Sequence, residues 1–243
     1  LITGNYTLNI KFGGNPIEIS PSMIQEFVIS QDIERFLPTF RITILDPTKI
    51  LAEILPFDKT LNNVQIELSL SENPEELNVF NFAVKRRKTG SPEDIYTIEG
   101  VLDIPSFITE NRTSYFNGNL KQNLETIASN LGIKDSEVGS SLSYNKNIIQ
   151  PNWSDARLFN YLKKEISGKG GESGYYCFFK VVKGKTILVF KSLNELLVGS
   201  VKYKFIIAPK EYEDHFPIAN YQVFDNSQIL ADLGAKNQSY VYF

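Results

Sequence analysis

His215 is the only histidine in the chain, and that count bounds the chemistry it can support. A metal centre built on several imidazoles is out of reach. A Ser-His-Asp hydrolase would have to use His215, with no G-x-S-x-G turn to present the serine. His215 lies in EYEDHFP, where the preferred reading is an ordinary surface loop and the alternative is a Glu/Asp/His cation site. Gly168, Gly170, Gly171 and Gly174 superficially suggest a phosphate loop. They follow a helical pattern and precede a strand, whereas a phosphate cradle needs the reverse order so that helix amides face the anion; they read as a flexible connector. The 28 acidic residues offer many carboxylate pairs for glycoside hydrolysis, and the sequence singles out none, because such pairing is spatial. The single cysteine, Cys177, excludes an intrachain disulfide and a cysteine zinc site, and its setting in YYCFF predicts a small buried hydrophobe. We therefore expect no enzyme, no metal and no cofactor.

The one charge feature is Lys85-Arg86-Arg87-Lys88 at the end of a strand pattern. On a regular strand Lys85 and Arg87 face one way and Arg86 and Lys88 the other, so the four do not form one flat patch. A solvated hairpin end that discourages edge pairing is the plain reading. The functional reading is a contact with an acidic partner subunit or with passing DNA.

The elements that would position these residues are most legible over 151–197. Ser154 serves as N-cap of a helix, with Trp153 before it stapling to Leu158, and Leu158, Phe159, Leu162 and Ile166 recur on one face until Gly168. YYCFFKVV and TILVF, rich in aromatic and β-branched residues and separated by Lys183-Gly184-Lys185, predict a hairpin. Residues 1–104 read as β structure: Tyr6–Phe12, Ile24–Ser30, Phe40–Leu45, Val64–Leu70, Phe80–Val84 and Ile95–Leu102 carry strand patterns, the last three as a meander. A short helix over Asp46–Pro56 interrupts them, with Pro47 in its first turn. So many antiparallel strands with one crossing helix favour a closed or nearly closed barrel. Residues 105–197 predict an α+β domain. It would hold a helix striped by Leu120, Leu124, Ile127 and Leu131 and ended by Gly132, a strand at SLSYN, the Ser154 helix and the hairpin. Residues 198–243 return to strand patterns, completing the first barrel or starting a second. The fold class expected is α+β, mainly β.

At 243 residues and 42% hydrophobic content the chain can bury one large core or two ordinary ones. A formal charge of −3 argues against a protein whose main task is coating nucleic acid, which needs an excess of Lys and Arg. No apolar stretch approaches the roughly 20 residues of a membrane span, so a soluble chain is expected. The start at Leu1 and the strand-like end SYVYF suggest a piece of something longer.

The order of these parts resembles the baseplate hub family of contractile-tailed bacteriophages, which includes the late control proteins of temperate phages and the hub part of type VI secretion spikes. The residues that carry the resemblance are IYTIEGVLDIPSFI, NRTSYFNGNLKQNLETIASNLGI and QPNWSDARLFNYLKKEI. Trp153, Ser154, Phe159 and Leu162 match a W-S-x-x-x-x-F-x-x-L helix opening, and Tyr175, Tyr176, Phe178 and Phe179 match the aromatic strand that follows. The resemblance implies a homotrimeric ring whose two tube-like barrels per subunit give pseudo-sixfold symmetry. Such a ring would adapt a hexameric tail tube protein to a trimeric central spike protein, contact other baseplate subunits, and let DNA pass through its lumen. The location implied is the virion tail baseplate, assembled in the host cytoplasm. Family hubs carry two full barrels, for which residues 198–243 hold too few strands. The alternatives are the hub of a type VI secretion or tailocin spike and, from another class, a β-rich carbohydrate-binding tail adhesin.

Overall fold

The computed structural model describes residues 6–12, 15–16, 21–47, 63–70, 78–89, 94–171, 173–198, 205–207 and 216–218. The chain divides into two compact units, Leu1–Leu197 and Val198–Phe243. In the first, strands β1 (Tyr6–Phe12), β2 (Asn15–Pro16), β3 (Ile24–Ser30), β4 (Thr39–Leu45), β5 (Asn63–Leu70), β6 (Asn78–Thr89) and β7 (Ile95–Leu102) form one curled antiparallel sheet. Its order is β2-β1-β5-β6-β7-β4-β3, half of a barrel, with β5, β6 and β7 as a meander. Beyond Asp46 and Pro47, the helix expected before β5 lies outside the described residues.

Alternation makes this sheet. On β4 and β7 every second residue, Phe40, Ile42, Ile44, Tyr96, Ile98 and Leu102, is buried on the inner face. The residues between them, Arg41, Thr43, Thr97, Glu99 and Val101, face outward. Gly100 takes the inner position opposite Phe40, and a side chain there would overlap the Phe40 ring. The mixed α+β, mainly β character expected from the sequence is therefore what the chain adopts.

Residues 105–197 pack against the sheet in the same unit. β8 (Asn111–Phe116) pairs antiparallel with β10 (Ile148–Ser154), and α1 (Leu120–Asn130) and α2 (Asp155–Glu165) follow these two strands. β11 (Tyr175–Val182) and β12 (Lys185–Ser192) form a hairpin that β9 (Asp135–Val138) extends in parallel, and α3 (Leu193–Leu197) closes the unit. The hairpin turn is only Lys183-Gly184, both with positive φ (50° and 73°), the geometry that matches strand twist in a two-residue loop.

One sequence expectation differs here, and two strands were not expected. SLSYN is not a strand: Ser140–Leu142 form a 3-10 turn, and the strand sits earlier, at Asp135–Val138. β8 and β10 carry no clean apolar alternation, because the half-buried face of β8 presents Arg112 and Ser114 and β10 contains Pro151.

Phe107 joins the parts. It is fully buried and meets Phe36 of the β3–β4 connection edge-on at 5.5 Å, Phe179 of β11 edge-on at 5.1 Å and Phe159 of α2 at 6.2 Å. Aromatic pairs at these spacings attract beyond their area burial. Along the same seam, two backbone N–H groups on the outer edge of β11 and one in its turn are satisfied from the sheet region. Phe179 donates to the Phe36 carbonyl (2.7 Å), Val181 to Gln31 Oε1 (3.0 Å) and Lys183 to Asn78 Oδ1 (2.8 Å). In the second unit, β13 (Phe205–Ile207) and β14 (Phe216–Ile218) pair in parallel.

Candidate interaction surface

Lys85, Arg86, Arg87 and Lys88 all lie on β6, but strict alternation does not hold. The β6–β7 register slips between Val84 and Arg86, so that Val84 stands opposite Gly100 and Arg86 opposite Glu99. Lys85 is the extra residue of a β-bulge. Arg86 and Lys88 pair with the outward Glu99 and Thr97, and bulged Lys85 joins Arg41, Glu99 and Val101 at an outer-face depression of about 300 Å³. Lys85, Arg86 and Lys88 thus share the outer face, correcting the reading that the cluster splits evenly between two faces.

The rim of the depression is built from three directions. β4 supplies Arg41, whose Nε lies 3.2 Å from Glu26 and 3.8 Å from Glu99. The β3–β4 connection supplies Arg35, 3.7 Å from Asp32, and Asp32 in turn accepts the Glu34 N–H at 2.9 Å. β6 supplies Lys85. Val28, 45% exposed, and Val101 give the surface apolar area between the charges. These ion pairs are solvent-exposed, so each is weak on its own and its groups remain open to other partners.

The helix cap belongs to a different element. Ser154 Oγ accepts the Arg157 N–H at 3.3 Å, and Leu158 is completely buried. The Trp153 ring has the Arg157 guanidinium 4.6 Å above it and Tyr161 edge-on at 5.5 Å. Asp155, next in the chain, is 2% exposed; Gln150 Nε2 donates to its Oδ1 at 2.8 Å and Arg112 Nη1 lies 3.7 Å from its Oδ2. This carboxylate ties β8 and β10 to the start of α2, where its charge also suits the helix dipole.

Sequence reasoning missed two carboxylates with several partners. Glu195 accepts from the Ser192 N–H (3.1 Å) and the Ser141 N–H (3.2 Å), while Ser192 Oγ accepts the Glu195 N–H, a capping box that also holds the 3-10 turn. Burial pushes the Glu195 carboxyl up, but the hydrogen bonds from Ser192 and Ser141 outweigh it and leave it below its ordinary value. The signal was present as Ser192-Leu193-Asn194-Glu195. Glu137 accepts from Lys191 at 2.8 Å and lies 2.6 Å from Lys180; burial raises its carboxyl, and the two ammonium groups bring it net below the ordinary value.

Cys177 is fully buried and its thiol is pushed far up by desolvation, which makes it unreactive. Gly171 and Gly174 take positive φ within the connector. His215 lies outside the described residues. Among the described residues, no three His, Cys, Asp or Glu side chains cluster as metal ligands, and no helix is long and apolar enough to cross a membrane.

No family model matches the sequence, and no curated protein matches it. Among solved structures the chain is similar to the 43 kDa tail protein of prophage MuSo2 from Shewanella oneidensis, at 13% identity and TM-score 0.48 over 76% of this chain and 54% of that one. It is similar to a tail protein from Neisseria meningitidis MC58, at 10% identity and TM-score 0.49 over 75% and 50%. A third is an E. coli component of the type VI secretion system described as similar to T4 bacteriophage tail proteins gp27 and gp5, at 11% identity and TM-score 0.42 over 82% and 46%. The chain spans about half the length of these proteins.

Proposed function

We propose that the chain is a structural baseplate hub subunit of a contractile phage tail, three copies of which form a pseudo-hexameric ring. The ring joins a hexameric tail tube to a trimeric central spike and lets DNA pass. The observation that carries this reading is the order of parts: a curled antiparallel sheet, then a Ser154-capped helix, then an aromatic hairpin docked on the sheet. That is the order on which the family resemblance rests. A half-barrel also leaves β3 at one edge of its described strand order, and an edge strand is a liability unless something covers it. Neighbouring copies in a ring supply such cover through heterologous contacts that close on themselves. The mildly acidic chain suits a passage that must not hold phosphate. The hub of a secretion or tailocin spike would use the same parts. A sugar-binding adhesin would need an exposed aromatic platform; Tyr175 and Phe179 are buried, while Trp153, Tyr176 and Phe178 are half-buried and Tyr161 is exposed, so the aromatic strand speaks against it and the Trp153 pair does not.

The test is the solution mass of the purified protein by light scattering, joined to negative-stain class averages. A trimer with a central hole supports the hub. A monomer at micromolar concentration that stays single with tube and spike proteins added sinks it.

A further inference from the structure

We propose that the outer face of α2, from Trp153 through Arg157 and Tyr161 to Lys164, docks an extended acidic segment of another protein. The inference goes beyond the hub reading and holds whether or not three copies form a ring. Three observations carry it.

First, the face is built before any partner arrives. β10 carries one extra residue against β8 between Gln150 and Trp153, and Asn152 in that bulge takes a positive φ of 51°. A bulge of this kind re-aims the side chains beside it. The buried Gln150 donates from Nε2 to the Trp153 carbonyl at 2.9 Å and to Asp155 Oδ1 at 2.8 Å, which fixes the chain where it enters α2. A surface already held in place loses less freedom on binding than a mobile one.

Second, the cations of this face have no carboxylate of their own. Arg157 and Lys164 are exposed, and among the described residues neither enters an ion pair. Of the two carboxylates on α2, Asp155 is buried, and Glu165 points about 100° around the helix from its neighbour Lys164. The Arg157 guanidinium lies 4.6 Å above the Trp153 ring, and Tyr161, 46% exposed, meets that ring edge-on. What the platform offers outward is therefore an oriented guanidinium beside a phenol, which suits a partner carboxylate. Trp, Tyr and Arg are also the side chains that carry most of the energy where proteins meet.

Third, the spacing sets the form of the partner. Arg157 and Lys164 stand seven residues apart on one helical face, about 10 Å along the axis. Because Arg157 leans back over Trp153, its charge lies further from Lys164 than the backbone spacing alone. Residues four apart on one face of an extended chain are separated by about 13 Å, and the residue midway between them faces the same way. A segment with acidic residues four apart and an apolar residue between them thus meets Arg157, Tyr161 and Lys164 in turn. Among the described strands of this chain only β9 carries two carboxylates, Asp135 and Glu137, which are two apart and already engaged by Lys185, Lys180 and Lys191. This points to another protein as the source.

The experiment is a fluorescence titration of the full chain, with Trp153, its only tryptophan, as a reporter inside the site. The probe is the acetylated and amidated peptide Glu-Ser-Leu-Ser-Glu, set against the same peptide with Gln for both Glu. Two variants accompany the wild type, R157E/K164E and K164E, the second leaving the contacts of Trp153 in place, and each is checked for an unchanged melting temperature. The expected result is a saturable change with the Glu peptide. Its affinity falls about threefold in K164E and at least about tenfold in R157E/K164E and with the Gln peptide, while the solution mass of the protein stays the same. No saturable change up to about 5 mM peptide overturns the proposal. Equal binding of the Gln peptide overturns it as well, because charge would then not be the basis. A solution mass that drops in R157E/K164E without any peptide makes this face a contact between copies and overturns the assignment to another protein. Saturation of the Trp153 signal by chitotriose and not by the Glu peptide makes it a sugar site and overturns it too.

Discussion

Replacing Gly100 by alanine tests how tightly the inner face of the sheet is built. The added Cβ would overlap Phe40 Cε1 and lie 2.5 Å from the Ala83 carbonyl oxygen, where non-bonded carbon contacts are comfortable at about 3.5–4.0 Å. Neither neighbour yields easily. The oxygen belongs to the central strand of the meander, and the Phe40 ring is packed against Phe82 at 4.6 Å between centroids. Overpacking of this kind costs about 1–3 kcal/mol, and a clash with backbone belongs at the upper end. The stiffer unfolded chain of the alanine variant offsets roughly 0.4–1 kcal/mol of that. A net loss of about 2 kcal/mol is expected. Urea unfolding followed by fluorescence of Trp153, the sole tryptophan and a residue of the same compact unit, measures it. With a slope of about 2 kcal/mol/M the midpoint moves down by about 1 M. A shift under about 0.2 M at unchanged slope would refute the reasoning, because it would mean that β6 and Phe40 move aside freely.

Glu195→Ala removes the acceptor shared by Ser192 and Ser141 and is expected to destabilise by about 1–2 kcal/mol, read as a lower urea midpoint. Ser154→Ala, which leaves the Arg157 N–H without its side-chain acceptor, costs about 1 kcal/mol by the same measurement, and Ser154→Asp restores it. Acidification acts through Glu67, Glu137 and Glu195, whose folded carboxyls all lie below their ordinary value of 4.5. For Glu67 the hydrogen bond from Lys11 is the chief cause, and for the other two hydrogen bonds outweigh burial. Depressed folded values mean that the unfolded chain takes up protons first. Their stabilisation is present above about 4.5 and lost as pH falls below it. Unfolding midpoints collected between pH 6 and pH 3 are expected to stay level and then fall, and Glu137→Gln is expected to shallow the fall.

Local signals in the sequence were strongest where one face of an element was uniformly apolar. Leu120, Leu124 and Ile127 announced α1, and Leu158, Phe159 and Leu162 behind the Ser154 cap announced α2. Phe40, Ile42 and Ile44 did the same for β4. The strands that escaped notice bury polar atoms. β8 turns Arg112 inward because Ser106 Oγ accepts its Nη2 at 2.8 Å and Asp155 neutralises it, and β9 is Asp-Ser-Glu-Val with only Val138 buried. Their place is set by partners far along the chain, Glu137 by Lys180 and Lys191 among them. The bulge at Lys85 was equally invisible, since it depends on the register of β7 against β6 and on nothing in Lys85-Arg86-Arg87-Lys88 itself.

The closed edge of β11 has a consequence for how the molecule comes to be folded. The donors at Val181 and, in its turn, Lys183 find acceptors 150 and 105 residues upstream, at Gln31 and Asn78. Contacts of such separation pay a large loop-closure entropy before they return anything. The hairpin, joined by two residues, closes on the microsecond timescale of local contacts and is only marginally stable alone. Until the first sheet receives it, one side of that hairpin is an unmatched row of amides flanked by Tyr176 and Phe178. When the full chain refolds, the exposed species is therefore a hairpin closed before its seat is built, whereas during synthesis Gln31 and Asn78 of the seat emerge first.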